Sequence, residues 1–324
     1  MDLLIKYSAI IDRMNAYHLS NQAFVFAINF SKTTGFCLKP YEIPKDYIRF
    51  SMNFSEPGLA LSKPLQFKIE PIQFIEYQAK FDRIQHQISD GNTYLCNLTQ
   101  ATKINTNLNL EEIYIYSKAR HKLFLKDHIV VFSPETFITL NNDIIKTFPI
   151  KGTSTLEADP DGSILLNSSK ENAEHNTIVD LMRNDLSIVS NHVTVDKLKT
   201  LDKIDTHQGA IWQMSSEISG ILKPDYSRKA GDLFDKILPA GSISGAPKAK
   251  TLDIIHSTEA YDRGFYTGVF GYFDGINLTS SVMIRYIEKT TEGLVYKSGG
   301  GITSHSIAEQ EYNELIKKVY VPIF

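Results

Sequence analysis

The sequence predicts a mixed α+β fold built on extended antiparallel sheets. Runs of β-branched and aromatic residues recur along the chain, and helical spacing of apolar residues is confined to a few segments. The two kinds alternate irregularly, without the strict strand–helix–strand rhythm of a parallel sheet. With 324 residues, 42% of them hydrophobic and 22% charged, the chain is long enough for a large core in one or two domains.

The elements follow in order. Ala23–Phe30 reads as a strand, and a turn-rich stretch with Pro40, Pro44, Pro57, Pro64 and Pro71 comes after it. Residues 74–89 place Phe74, Tyr77, Phe81, Ile84 and Ile88 on one helical face, and Gly91 supplies a stop signal. Strands are expected at 93–103, 129–140 and 143–150, where β-branched and aromatic residues cluster. Residues 163–188 read as one helix, with Ile164, Leu165, Ile178, Leu181 and Leu186 on its apolar face. A further helix is expected from Ala246-Pro247 to about Thr258, since proline suits a first helical turn. Strands at 266–273, 278–288 and 293–298 and a closing helix at 306–320 complete the chain. No Pro/Gly-rich linker marks a boundary. The expected division is a short N-terminal segment, 1–72, completing the sheet, and one catalytic unit over 73–324.

Composition excludes several classes. Lys and Arg total 34 against 37 Asp and Glu, a net charge of −3. No block of like charge suggests a nucleic-acid arm, so no nucleic-acid partner is expected. Cys37 and Cys96 are too few for a disulfide scaffold or a cysteine zinc cluster. The first twenty residues lack the pattern of a signal peptide and the length of a membrane span. A reduced, cytoplasmic, soluble protein with no membrane partner is the expectation.

Two acidic pairs share one spacing. Glu171 and Glu174 lie three residues apart on an expected helix, as do Glu311 and Glu314 on the last one. Each pair aims two carboxylates in one direction. If the helices face each other, the four converge and call for a hard cation such as Mg²⁺, which takes one or two protein carboxylates directly. Solvated glutamates on amphipathic helices would show the same spacing. Three glycine-rich stretches read as turns: Pro149–Thr153, Pro239–Lys248 and Ser298–Ile302. None has phosphate-loop or dinucleotide spacing, and backbone N–H groups approaching a small carboxylate suit them better. Lys151 ends an apolar strand, where burial could lower its pKa and make it a nucleophile, although it could equally reach out to water. Arg285, read as lying within an apolar strand, wants a carboxylate for its planar fork.

Several segments occur in one fixed order: Glu171-x-x-Glu174-His-x-x-Ile-Val-Asp-Leu-Met-Arg-Asn-Asp185, Pro239–Lys248, Tyr266-x-Gly-Val-Phe-Gly-Tyr272, Ser281-Val-Met-Ile-Arg285, then Gly299-Gly-Gly-Ile with Glu311-x-x-Glu314. Together they resemble the chorismate-utilising enzymes, the group holding anthranilate, isochorismate, salicylate and aminodeoxychorismate synthases. The resemblance runs from about residue 75 to the end. It implies two large antiparallel sheets packed face to face with helices outside and the site between. It also implies one Mg²⁺ on the ring carboxylate of chorismate, with Glu174 and Glu314 as direct ligands and Glu171 and Glu311 acting directly or through water. Arg285, Tyr266 and the backbone of Gly299, Gly300 and Gly301 match the residues that hold the enolpyruvyl carboxylate. The Gly241–Ala246 turn, with Ser244, Gly245 and Ala246, matches the loop lining the ring, and Thr153 and Lys318 join the substrate contacts.

The branch rests on fewer residues. Pro149-Ile-Lys151-Gly-Thr153 resembles the aminodeoxychorismate synthases, where anthranilate and isochorismate synthases carry alanine in place of the lysine. Glu135 of Ser133-Pro-Glu135 matches the family's acid/base glutamate. Members that add water carry a lysine base at the position matched here by Leu95, and the amine-adding members carry glutamine there. Gln213 stands where many relatives have the histidine associated with pyruvate elimination. The tryptophan-binding motif of anthranilate synthases has no counterpart near the start. The resemblance therefore implies amination of chorismate, with Lys151 as covalent nucleophile and ammonia from solution or a separate glutamine amidotransferase subunit. Anthranilate synthesis and a catalytically inactive chorismate-binding subunit remain the alternatives.

Overall fold

Two antiparallel sheets organise the chain in the computed structural model, which describes residues 3–323 apart from 57, 62, 207 and 208. The first, ten-stranded, runs β1 (Ile5–Lys6), β3 (Thr34–Leu38), β2 (Phe24–Ile28), β15 (Val269–Phe273), β16 (Asn277–Val282), β9 (Thr136–Asn141), β10 (Ile144–Thr147), β13 (Gly209–Leu222) and β11 (Ile150–Thr155), with β12 (Ser190–Thr206) also on β13. The second, eight-stranded, runs β14 (Gly245–Ala246), β6 (Leu95–Thr106), β18 (Gly293–Ile302), β17 (Tyr286–Thr290), β8 (Ile129–Ser133), β7 (His121–Leu125) and β4 (Ile48–Ser51), with β5 (Phe67–Glu70) also on β6. The α+β fold with two large antiparallel sheets is as the resemblance implied.

Side-chain alternation explains the layers. Along β2, Val25 and Ala27 face the second sheet, packing in one cluster with Leu123, Leu125, Val131 and Tyr286. Phe24, Phe26 and Ile28 point the other way. They meet helices α1 (Tyr7–Leu19), α5 (Ser169–Val189) and α6 (Ala230–Ile237), in a core shared with α2 (Phe74–Ser89). Covered on both faces, β2 is apolar throughout, as a central strand must be. A third cluster lies under α3 (Leu110–Tyr116), against Phe124, Phe132 and Tyr296 on the outer face of the second sheet. The remaining helices are α4 (Ser163–Asn167), α7 (Lys248–Glu259) and α8 (Ala308–Lys317). Among the described residues no helix is long and apolar enough to cross a membrane.

The α2 bounds match the expected 74–89. Other expectations need correction. The single helix over 163–188 divides at Ser168, whose hydroxyl caps α5 by accepting the Glu171 N–H at 3.3 Å. The glycine run is no turn: Gly299, Gly300 and Gly301 lie within β18, paired with Thr99, Leu98 and Asn97 of β6. The expected strands 129–140 and 278–288 each break in the middle, and each break passes the chain between the sheets. Pro134 and Glu135 connect β8 to β9, while residues 283–285 connect β16 to β17. Arg285 thus sits at a bend, with φ 54°, rather than inside a strand. The two bends abut, the Phe132 N–H donating to the Arg285 carbonyl (3.0 Å) and the Ser281 hydroxyl to the Glu135 carbonyl (2.7 Å).

Candidate active site

The two acidic pairs do face a common centre, and Lys151 stands in it. Between Ile150 and Thr153 the register of β11 on β13 shifts, and Gly152 takes φ 90°. Such a bulge re-aims the side chain beside it. Lys151 Nζ lies 2.8 Å from Glu174 Oε2. A Cβ on Gly152 would come within 2.9 Å of Glu171 Oε2, so glycine makes room for that carboxylate. Thr153 follows, exposed and paired with Gln213. From α8, Glu314 pairs with Lys318 at 2.7 Å, and Glu311 accepts the Ser306 hydroxyl at 2.8 Å.

Electrostatics here correct one expectation. Burial works to lower the Lys151 pKa, but Glu174, Glu314 and Glu311 outweigh it and hold the ammonium charged. Burial would also raise the Glu314 carboxyl, yet Lys318 and Lys151 bring it down to about 2. Glu171 and Glu311 are pushed up, by burial first and then by the neighbouring carboxylates. Lys318, which also donates to the Gly299 carbonyl at 2.9 Å, is pushed down by burial. Four carboxylates thus meet three ammoniums, Lys151, Lys318 and the more exposed Lys170, 3.8 Å from Glu174 Oε1, leaving a net negative charge on oxygen ligands. That donor set fits Mg²⁺. Among the described residues no three acidic, histidine or cysteine side chains gather closely enough to ligate one ion together. The arrangement therefore suits an ion taking one or two of these carboxylates, with water and a substrate oxygen for the rest.

Beyond Lys318 the side chains become basic and tyrosine-rich. Arg285 lies over the Tyr320 ring, 5.4 Å from its centre, and its Nε contacts the Tyr320 hydroxyl at 3.4 Å. Among the described residues no carboxylate forms an ion pair with it; burial works to lower its pKa and the contacts with Tyr296, Tyr320 and Tyr266 to raise it, and a guanidinium stays charged in any case. Burial raises Tyr266, which is 4% exposed and packs 5.7 Å from the Tyr286 ring. Burial also raises Glu135, against the opposing pull of the Ser242 hydroxyl bonded at 3.1 Å and of Arg285 and Lys318. Ser244, Gly245 and Ala246 are buried, with Gly245 and Ala246 bridging to Cys96 and Leu95 of β6. Gly245 has φ 135°, and a Cβ there would fall 2.0 Å from the Leu95 carbonyl. Leu95 also bounds the glycine run, 3.0 Å from where a Cβ on Gly301 would sit.

Sequence reasoning missed the side chains that hold this centre. His175, fully buried, bridges the Lys151 carbonyl (3.3 Å) and the Ser216 hydroxyl (2.7 Å). Asp185, 4% exposed, accepts the Gly241 N–H (2.9 Å) and pairs with Lys248 (2.9 Å), pinning the loop to α5. Both stand in the 171–185 motif, and their polarity on a face otherwise apolar was the available signal.

The comparisons with known proteins identify the family. A family model described as chorismate binding enzyme matches residues 54–323. The chain is 43% identical over 316 residues to an "uncharacterized PabA-like protein" of Haemophilus influenzae, covering 97% of this chain and 96% of that one. It is 35% identical over 259 residues to aminodeoxychorismate synthase component 1 of Salmonella typhimurium, covering 75% of this chain but 56% of that protein. The crystal structure of anthranilate synthase component I from Streptococcus pneumoniae superposes with a TM-score of 0.65 at 28% identity, over 82% of this chain and 60% of that one. A putative 2,3-dihydroxybenzoate-specific isochorismate synthase from Bacillus anthracis shares the fold, with a TM-score of 0.72 at 19% identity over 97% and 89%. The chain belongs to the chorismate binding enzymes. It is a chorismate-utilising enzyme.

Proposed function

We propose that this enzyme aminates chorismate to 4-amino-4-deoxychorismate, the precursor of p-aminobenzoate and folate, acting in the cytoplasm as an aminodeoxychorismate synthase component I. The observation carrying this reading is Lys151, aimed by its bulge into the centre of the two glutamate pairs, 2.8 Å from Glu174. The side-chain carboxylate of chorismate goes to Arg285, which has no carboxylate partner among the described residues, beside Tyr266 and the glycine run. Glu174 and Glu314 are assigned to Mg²⁺, with Glu171 and Glu311 beside them directly or through water; bound there, the ion would neutralise the ring carboxylate and polarise the ring.

Lys151 becomes a nucleophile only when its ion pair with Glu174 is relaxed, since that carboxylate keeps its proton in place. Its neutral amine bonds to C2, both conjugated ring double bonds move along (C1=C2 to C1=C6, C5=C6 to C4=C5), the C4–O bond breaks with the hydroxyl leaving as water, and the new ammonium passes its proton to solvent. Glu135, with its pKa raised by burial, supplies the proton. Ammonia then adds at C4 and expels the lysine, so two easier substitutions replace a hard one. Leu95 cannot activate water, which argues against hydration of chorismate, and the enolpyruvyl group is retained. Ammonia comes from solution or from a separate glutamine amidotransferase subunit: buried Cys37 and Cys96, their thiols pushed up to about 12 by burial, are poor nucleophiles.

Mass spectrometry of products from chorismate, Mg²⁺ and ammonium, with wild type and Lys151→Ala, tests this. Exchange of hydroxyl for amine with the enolpyruvyl group kept, lost in the variant, is expected. Anthranilate with released pyruvate would overturn the reading, as would full amination by the variant.

A further inference from the structure

A second buried charge cluster lies just behind the substrate walls. Glu259, the last residue of α7, and Arg263 are 2% and 1% exposed at their side chains and meet through two contacts, Nη2–Oε1 at 2.6 Å and Nε–Oε2 at 2.8 Å. The other guanidinium hydrogens go to backbone and hydroxyl oxygens: Nη2 donates to the Asn97 carbonyl (2.7 Å), and Nη1 to the Ile243 carbonyl (2.9 Å) and the Thr267 hydroxyl (3.3 Å). Glu259 Oε1 also accepts the Thr99 N–H and hydroxyl, both at 2.8 Å. The Phe30 ring caps the guanidinium, 4.5 Å from its centre.

The hydrogen-bond partners of the pair belong to three segments, each next to a proposed substrate contact. Asn97 and Thr99 on β6 pair with Gly301 and Gly299. Ile243 precedes Ser244–Ala246 in the ring-lining loop, and Thr267 follows Tyr266. A buried ion pair gives little net stability, because desolvation cancels most of its attraction. What this one supplies is geometry: donors fixed in one plane reach three segments at once, which lysine's compact ammonium cannot do.

We propose that Arg263, held in place by Glu259, is a positioning residue for the chorismate pocket, setting the spacing of the glycine run, the 241–246 loop and Tyr266. This rests on the functional reading above. Lys151 and Glu135 receive no bond from the pair, so its loss weakens substrate binding more than it slows chemistry.

Arg263→Lys, Glu259→Gln and Thr267→Val in the full chain test this through steady-state amination, equilibrium dialysis of chorismate with Mg²⁺, and thermal unfolding. Arg263→Lys should raise KM and the chorismate Kd roughly ten-fold, with kcat within about three-fold of wild type. Glu259→Gln should shift both the same way by less. Thr267→Val, which removes one acceptor and leaves the ion pair intact, should raise KM about two- to three-fold. Wild-type KM and Kd in Arg263→Lys would overturn the proposal, and so would a lowered melting temperature with binding unchanged. If Arg263→Lys fails to fold, Thr267→Val decides, and an unchanged KM there overturns it. A wild-type chain that binds no chorismate would instead refute the functional reading, and the clamp with it.

Discussion

Gly300 separates the two jobs a glycine can do. Its φ is not positive, and a Cβ there would meet Glu311 Oε2 at 3.4 Å, Lys318 Nζ at 3.8 Å and Glu314 Oε1 at 3.9 Å, all ends of flexible side chains. Gly300→Ala therefore fits the fold and restricts the unfolded chain, a gain of roughly 0.4–1 kcal/mol or about 0.5–1.5 °C in melting temperature. The same methyl stands between the glycine run and the carboxylates of α8, where the substrate is assigned. Losing one charge-assisted contact costs about 1.5–3 kcal/mol, so chorismate affinity should fall roughly 10- to 100-fold. Gly299→Ala is the control: its Cβ would lie 2.7 Å from the Leu98 carbonyl, and relieving that clash should cost about 1–3 kcal/mol of stability. Thermal unfolding with equilibrium dialysis of chorismate reads both quantities. A Gly300→Ala protein that binds chorismate like wild type would refute the placement of the substrate on this strand.

Three further outcomes follow from the same geometry. Glu174→Gln removes the carboxylate nearest Lys151 and should lower the lysine pKa, seen as faster labelling by an amine-selective reagent in metal-free protein; unchanged labelling would refute the ion pair's control. Glu135 has a raised folded pKa, so the stability it contributes is fully present below about 4.5 and is lost as pH rises through the folded value. Glu135→Gln should therefore gain melting temperature on wild type more at pH 7 than at pH 4, and the alkaline limb of kcat/KM should vanish with it. Asp185→Ala leaves Lys248 and the Gly241 N–H without their partner and should cost about 2–4 kcal/mol in chemical denaturation; a loss under about 0.5 kcal/mol would show that the loop is held elsewhere.

The sequence carried the elements with strong local signals. Residues 74–89 have helical spacing and a glycine stop, and their bounds match the helix. Equally legible was the shared direction of the two carboxylates within each glutamate pair, because i, i+3 spacing puts both on one helix face; that the two helices face each other was a condition only the tertiary structure could meet. Less legible were positions decided by tertiary pairing. The glycine run reads as a turn in isolation, yet lies flat in β18 because β6 supplies a partner for each residue. Arg285 reads as a strand residue, because nothing local reveals that β16 and β17 belong to different sheets. The charge on Lys151 needed three carboxylates from two distant helices, which no local reading can sum.

The abutting bends at Glu135 and Arg285 have a mechanical consequence. Each bend joins one sheet to the other, and hydrogen bonds tie the bends together, so a slip of one sheet over the other is transmitted to both residues. The interlayer side chains, Val25, Ala27, Leu123, Leu125 and Val131, act as the bearing on which that slip would occur. Enlarging or trimming them would shift Glu135 against Arg285, the residues proposed above as acid and anion anchor. On the roles proposed for Glu135 and Arg285, turnover would then respond to interlayer packing as melting temperature does, from positions outside the proposed site.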